Sequence, residues 1–193
     1  MLAITPETIL SAYAQGAFPM ADDLGVIRWY TADPRGILPL DGFQCPRSLR
    51  QTIRRGAFDI RVNTDFRAVM EGCRKNRQEG TWISGDLIDL YVRLHEMGFA
   101  HSVETWQDGA LAGGLYGVAM GGVFFGESMF HYITDASKVA LAALVDRLNE
   151  RKFVLLDTQA VTQHLRRFGC IEIAASDYLR RLHDALTLER AFD

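Results

Sequence analysis

The chain has no apolar run approaching the roughly 18–20 residues that a membrane-spanning helix needs. Its first residues, Met1-Leu2-Ala3-Ile4-Thr5-Pro6-Glu7, lack the basic and then apolar segments of a secretory signal. Cysteine is scarce. Cys45, Cys73 and Cys170 are odd in number, far apart and without a C-x-x-C pair, which argues against a disulfide framework and against a zinc site. The five histidines show no H-E-x-x-H spacing. Repeats, low-complexity tracts and long linkers are missing as well. These absences lead us to expect a reduced, cytoplasmic protein that holds no metal. With 193 residues, nearly half of them apolar, the chain can form one large domain or one domain with a small appendage.

Positive charge is in short supply overall but not locally. The net charge is −3, which by itself argues against a nucleic-acid partner. Between residues 47 and 77, however, Arg47, Arg50, Arg54, Arg55, Arg61, Arg67, Arg74, Lys75 and Arg77 face only Asp59, Asp65 and Glu71. That stretch carries +6 and leaves −9 for the remainder. A local basic region on an acidic protein suits a polyanion that docks at one place; solvated helix faces would give the same composition.

Capping and periodicity outline the elements. Thr5-Pro6-Glu7 opens a short helix with Ile9, Leu10 and Tyr13 on its apolar side, and Gly16 closes it. The stretch from Phe18 to Pro46 reads as loops with short extended pieces. Asn63 or Thr64 is expected to cap a helix that buries Phe66, Val69, Met70 and Cys73, and Ser84 another that buries Leu87, Leu90, Tyr91 and Leu94. Three strands then form a meander: His101 to Trp106 turns at Asp108-Gly109 into Ala110 to Met120, which turns at Gly121-Gly122 into Val123 to Phe130. Thr134 or Asp135 starts a helix with Leu141, Leu144, Val145 and Leu148 on one face. A short strand from Phe153 to Asp157 follows, then helices near 161–168 and 176–187 flanking a strand at Ile171. A meander leading into a strand–helix–strand crossover is an α+β pattern with a mixed sheet.

Several residues could carry chemistry. Seven glycines crowd residues 109 to 126; those within strands mark bulges and close packing or leave room for a substrate. Glu127 is a carboxylate in an apolar strand, sharing a face with Met129 by the period of two, so it needs either a structural Arg partner or a substrate cleft. Ser128 is better read as a hydroxyl bonded within the sheet than as a nucleophile, because G-x-S-x-G would need Gly where Phe130 stands. Asp157 and Gln159 lie on one face at a strand's C-terminal end, where crossover sheets open their clefts; Asp157 could equally cap the helix near Val161. Trp82, Tyr91 and the histidines, His131 and His164 included, read by themselves as core or surface rather than site.

The chain resembles the bacterial leucyl/phenylalanyl-tRNA–protein transferases along nearly its whole length. The resembling segments are Ala12-Tyr13-Ala14-Gln15-Gly16-Ala17-Phe18-Pro19, Asp33-Pro34-Arg35, Gly80-Thr81-Trp82-Ile83, Leu94-His95-Glu96 and His101-Ser102-Val103-Glu104. They continue with Gly113-Gly114-Leu115-Tyr116-Gly117-Val118-Ala119, Phe125-Gly126-Glu127-Ser128-Met129-Phe130, Ala136-Ser137-Lys138 and Asp157-Thr158-Gln159. Each is weak alone; their order and spacing together are specific.

The resemblance implies transfer of Leu, Phe and less readily Met from aminoacyl-tRNA to proteins beginning with Arg or Lys, which marks them for degradation. It implies a core like the GNAT-type N-acyltransferase fold, no cofactor besides the tRNA donor, and a monomer. Residues 1–62 would form a small N-terminal region of loops and short helices, and residues 63–193 the acyltransferase-like catalytic domain. By position Asp157 and Gln159 match the catalytic pair and Glu127 a carboxylate on the acceptor side. Asp157 is expected to draw the proton from the acceptor amine directly or through Gln159, Gln159 to orient the attack, and Glu127 to hold the acceptor's cationic end. Met129, Leu115, Phe124, Leu141 and Leu144 match the side-chain pocket. Trp82 and Tyr91 match residues around the tRNA's terminal adenosine, and Arg47, Arg50, Arg54 and Arg55 the acceptor-stem basic cluster. Longer members of the family carry an extra N-terminal segment; Met20 stands where a Trp often follows Phe-Pro, and His131 where a small polar residue is usual. These departures bear on the size of the pocket and the choice between Leu and Phe. The rival expectations are a non-catalytic aminoacyl-tRNA-binding protein of the same fold, and an esterase using Ser128 with His131 or His164.

Overall fold

A computed structural model describes residues 4–22, 24–75 and 81–193; Arg77 of the basic stretch and Gly80 of the Gly-Thr-Trp-Ile run lie outside them. The first helix, α1 (Pro6–Ala14), begins as the sequence predicts. The Thr5 hydroxyl accepts the Thr8 amide while the Thr8 hydroxyl accepts the Thr5 amide, a capping box that satisfies donors the first turn leaves open. Gly16, at φ +79°, lets the chain leave the helix in the left-handed region. A hairpin of β1 (Phe18–Ala21) and β2 (Ile27–Tyr30) follows, then β3 (Arg35–Ile37), a turn of 3-10 helix at Leu40–Gly42, α2 (Arg47–Arg54) and β4 (Asp59–Val62). Next come α3 (Phe66–Lys75) and α4 (Gly85–Glu96), the latter capped by Ser84 as predicted. The meander β5 (Ala100–Gln107), β6 (Ala110–Met120) and β7 (Val123–His131) leads through α5 (Ala136–Glu150) into β8 (Leu155–Gln159). Helix α6 (Gln163–Arg166), β9 (Ile171–Ile173) and α7 (Ala175–Leu186) complete the described elements.

Seven strands form one mixed sheet in the order β4-β5-β6-β7-β8-β3-β9. Strands β7 and β8 run parallel across the α5 crossover, and the other neighbours pair antiparallel. This is the α+β arrangement expected from the meander and crossover. The boundary expected at residue 62 does not follow the sheet. Strand β3 lies between β8 and β9, and β4 forms an edge beside β5, so both of these strands, which precede residue 63, are hydrogen-bonded into the same sheet as β5 to β9.

The sheet separates two apolar clusters. On one face α1, α3, α4 and α7 pack around Tyr13, Tyr91, Tyr116, Phe125 and Phe130. On the other α2, α5 and α6 pack around Leu115, Phe124, Leu141, Leu144 and Leu156. Strand alternation sends Phe124 and Phe125 to opposite clusters.

Helix α3 differs in its cap. Asp65, not Asn63 or Thr64, accepts the Ala68 amide, at 3.0 Å. The Thr64 and Asp65 amides are both taken at 2.9 Å by Glu104, a buried carboxylate on β5, and the Asn63 side chain turns to the Ser102 amide. A long-range acceptor thus displaces the local capping preference.

The glycines within β6 serve packing. A Cβ on Gly117 would fall 2.2 Å from the Phe125 carbonyl oxygen and 2.4 Å from the Phe124 ring, and one on Gly113 2.7 Å from Ala136 Cβ of α5. Gly117→Ala is therefore expected to destabilise the protein by about 1–3 kcal/mol, read as a lower urea midpoint with an unchanged slope.

Candidate active site

The polar centre begins with a short strand. Because β3 pairs with β8, setting Ile37 opposite Asp157 and Gly36 opposite Gln159, Arg35 reaches Asp157 across the sheet. Its Nε donates to Asp157 Oδ1 at 2.9 Å and its Nη2 to Oδ2 at 2.6 Å, with both residues almost wholly buried. Arg35 Nη1 donates to the Gly16 carbonyl at 2.8 Å, and the guanidinium lies over the rings of Tyr178 and Phe18. The remaining capacity of Asp157 is used by the Tyr178 hydroxyl on Oδ2, 2.8 Å, and the Gln159 amide on Oδ1, 2.9 Å. Burial works against the Arg35 charge, but its bonds to Asp157 outweigh that and raise its pKa. Arg35 stays cationic.

The direct proton-accepting role expected of Asp157 is therefore closed to it. Both oxygens are saturated by donors and no part of the residue meets solvent. Nor does Asp157 cap the next helix; Thr162 does, accepting the Leu165 amide. What Asp157 does is hold Gln159, whose backbone sits at φ +55°, a left-handed position that a non-glycine residue keeps only under such restraint.

Glu127 is the carboxylate that remains available. Tyr116 faces Ser128 and Gly117 faces Gly126, so Glu127 is the extra residue of a β-bulge in β7. The expected sharing of a face by Glu127 and Met129 is corrected by that bulge: it shifts the alternation and lets the four consecutive residues from Gly126 to Met129 border one cavity. A second bulge at Thr158, between the Gly36–Gln159 and Ile37–Asp157 pairs, lies in the facing strand. Pairing of β7 with β8 extends to Phe125 and Asp157. Beyond it the parallel strands part and a cleft opens at their carboxyl ends.

Glu127 Oε1 accepts the Tyr13 hydroxyl at 2.5 Å, and Tyr13 is bonded in turn to the Tyr91 hydroxyl. Gln159 Nε2 stands 3.4 Å from the same oxygen. Burial pushes the Glu127 pKa up to about 8; the Tyr13 hydrogen bond lowers it, Asp157 adds to the rise, and Arg35 and Tyr91 lower it. Burial and the neighbouring carboxylate hold both tyrosines well above their ordinary pKa, so they remain donors.

Beside Glu127 lies a cavity of about 90 Å³ whose apolar wall is Leu115, Met129, Leu141, Leu144, Leu156 and Leu165, with Ser128 and Thr158 at its polar end. Four of the five expected pocket residues are there. Phe124 is not: it is buried in the cluster behind, stacked on Phe192 with ring centroids 5.2 Å apart. Tyr91 is likewise wholly buried, which leaves it no face for an adenosine, whereas Trp82 is half-buried at the edge of its cluster. Arg47, Arg50, Arg54 and Arg55 are exposed on and just beyond α2, and none has an ion-pair partner among the described residues. Sequence reasoning missed Arg35, Tyr13, Tyr178, Leu156 and Leu165. Arg35 and Tyr13 sit inside quoted motifs, and an Arg partner was anticipated for a strand carboxylate, though for Glu127 and not for Asp157.

Comparison with known proteins agrees along the chain. Residues 37–183 match the family described as leucyl/phenylalanyl-tRNA protein transferase, and residues 3–33 the N-terminal domain of that name. The chain is similar to the leucyl/phenylalanyl-tRNA–protein transferase of Paramagnetospirillum magneticum, 54% identical over 100% of this chain and 94% of the relative. It is 48% identical to that of Rubrobacter xylanophilus, over 99% of this chain and 100% of the relative. Among solved structures it aligns with L-PGS from Bacillus licheniformis at a TM-score of 0.46 and 15% identity, over 79% of this chain and 49% of the other.

Two outcomes follow from this geometry. Arg35→Met should lower unfolding stability by about 3–5 kcal/mol, because it strands a buried carboxylate, and adding Asp157→Leu should recover much of the loss; denaturant titration of the three proteins reads both effects. For Glu127, the folded pKa of about 8 lies above the unfolded value. Between the two the native state holds a proton that the unfolded chain has released. Its stabilising share is thus complete below about pH 4.3 and is lost as pH rises through about 8. Wild-type stability should fall relative to Glu127→Gln between pH 5 and pH 8.5; parallel curves would mean that the carboxyl is not shifted.

Proposed function

Because the chain belongs to the leucyl/phenylalanyl-tRNA protein transferase family, we propose that it transfers Leu, Phe and less readily Met from aminoacyl-tRNA to the N-terminus of proteins that begin with Arg or Lys. The observation that carries this reading is an apolar cavity the size of one side chain bordered by Glu127, which Gln159 approaches at 3.4 Å, in the cleft between β7 and β8. The crossover and its splayed parallel strands support an acyltransferase fold of the GNAT kind. The site is complete within one chain, which supports a monomer, and charged tRNA as donor supports a cytoplasmic setting.

The reaction is aminolysis of an ester. An α-ammonium group has a pKa near 7.7–8.0, level with the value of about 8 for Glu127. Proton exchange between them is nearly neutral in free energy, which is the match a general base needs. Ionised Glu127 takes one proton from the acceptor's ammonium. The free amine attacks the ester carbon, the bond from that carbon to the ribose oxygen breaks, and the second proton of the nitrogen passes to the departing oxygen. Gln159 orients the attack and its amide donates to the developing oxyanion. Asp157 acts through Gln159, holding its backbone amide. Tyr13 and Tyr91 keep Glu127 aimed into the cleft.

Specificity rests on the cavity. At about 90 Å³ it is smaller than the roughly 150 Å³ cavity that admits benzene, so it takes a leucine or methionine side chain directly and a phenyl ring after Met129 moves. One methylene is worth only about 1–3 kcal/mol in such a pocket, so discrimination among apolar donors is modest. Exposed Arg47, Arg50, Arg54 and Arg55 hold the acceptor stem, and Trp82 lies toward the terminal base.

The test uses tRNA charged with radiolabelled Leu or Phe and a peptide beginning with Arg, with Asp- and Gly-initiated peptides as controls. Label on the Arg peptide alone supports the transferase and its acceptor rule. Binding of charged tRNA without transfer would favour a binding protein, and release of free amino acid an esterase. In the same assay Glu127→Gln should lower kcat by about 10²–10⁴-fold, and Met129→Ala should raise the ratio of Phe to Leu transfer several-fold.

A further inference from the structure

Three elements that wall the cavity also carry basic side chains within three residues of the side chains that line it. On β7, Met129 lines the cavity and His131, two residues on, shares its face at the exposed end of the strand. On α5, Lys138 stands one turn before Leu141, three residues apart on one helix face. On α6, Leu165 lines the cavity between His164, packed edge-on to Phe168, and exposed Arg167 at the helix end. Burial lowers the His164 pKa, and the nearby Lys138, Arg167 and His131 lower it further, which keeps the imidazole neutral. Asp135 pairs with Lys138, its Oδ1 lying 2.6 Å from Lys138 Nζ, and its Oδ2 accepts the Thr52 hydroxyl of α2 at 3.4 Å. Arg167 has no ion-pair partner among the described residues. The Thr52–Asp135–Lys138 bonds tie α2, which carries exposed Arg47, Arg50 and Arg54, to the start of α5.

We infer that Lys138, His164 and Arg167 form a subsite for the phosphate of the donor's 3′-terminal nucleotide. This rests on the transferase reading. With the amino-acid side chain in the cavity and its ester carbonyl at Glu127, one ribose separates the ester from the first phosphate. That phosphate must therefore lie near the rim of the cavity, on whichever side is basic. Guanidinium and ammonium groups at the rim give it charge-assisted hydrogen bonds, and the imidazole of His164 adds a neutral donor that Phe168 keeps oriented. Such contacts fix the register of the ester without reading a base. Arg167 and Lys138 thus position the donor, while the arginines of α2 hold the body of the tRNA.

The experiment compares two small donors, 3′-O-phenylalanyl adenosine and the same compound with a 5′-phosphate, with an Arg-initiated peptide as acceptor. Wild type should use the phosphorylated donor with kcat/KM about tenfold higher, residing in KM, and that advantage should shrink with salt. Arg167→Gln and Lys138→Gln should each reduce the advantage to about threefold or less, and Arg167→Lys should restore part of it. Equal use of both donors by wild type, or an advantage that survives both substitutions, would overturn the subsite while leaving the transferase standing. Absence of transfer from either donor and from charged tRNA would overturn the transferase reading and the subsite with it.

Discussion

The buried pair of Arg35 and Asp157 is the interaction on which the rest of the site depends. In a low-dielectric interior neither charge is tolerable alone, so each dictates where the other's backbone must run. Arg35 draws β3 into the sheet beside β8 and, through the Gly16 carbonyl, anchors the end of α1. Asp157 gathers Tyr178 from α7 and the Gln159 amide from its own strand. The end of α1, β3 and α7 therefore meet β8 at one ion pair. The same saturation that makes Asp157 structurally indispensable leaves neither of its oxygens open to a further donor.

Glu127 owes its availability to an irregularity. A regular strand would bury it among the tyrosines or turn it wholly toward α5. The bulge does neither, placing the carboxyl between Tyr13 and Gln159 at the edge of an apolar cavity. The bulge at Thr158 and the left-handed Gln159 stand across the same cleft. Strained backbone concentrates where the surrounding pairings are strong enough to hold it. Around it the clusters on both faces of the sheet are regular, and the glycines of β6 allow their close approach. A carboxyl raised to about 8 needs this setting: desolvation by the apolar wall, restrained but not cancelled by tyrosine donors.

Charge is arranged with the same economy. The chain is net acidic, yet the exposed arginines of α2 lack ion-pair partners among the described residues, and the cavity rim carries its own cations. Other basic residues of the 47–77 stretch are occupied, Arg61 over Trp106 and Arg67 with Asp89. Part of the basic stretch is thus occupied, while the open arginines of α2 lie beside α5, the helix that lines the cavity.

Much of the fold was legible in residue order. Thr5 and Ser84 cap helices, Asp108-Gly109 and Gly121-Gly122 turn the meander, and helical spacing foretold the buried faces of α3, α4 and α5. These signals act over a few residues, so local sterics and hydrogen bonding suffice to read them. The motifs likewise brought Glu127, Asp157, Gln159 and four residues of the cavity into view. The tertiary structure alone decided what each one does. Arg35 and Asp157 are 122 residues apart, and Tyr13 and Glu127 are 114. No periodicity reports a pairing at that range, a bulge that shifts alternation by one residue, or a donor count that saturates one carboxylate and frees another. Those depend on which strands become neighbours, and that is settled by burying the whole apolar surface together rather than by any local preference.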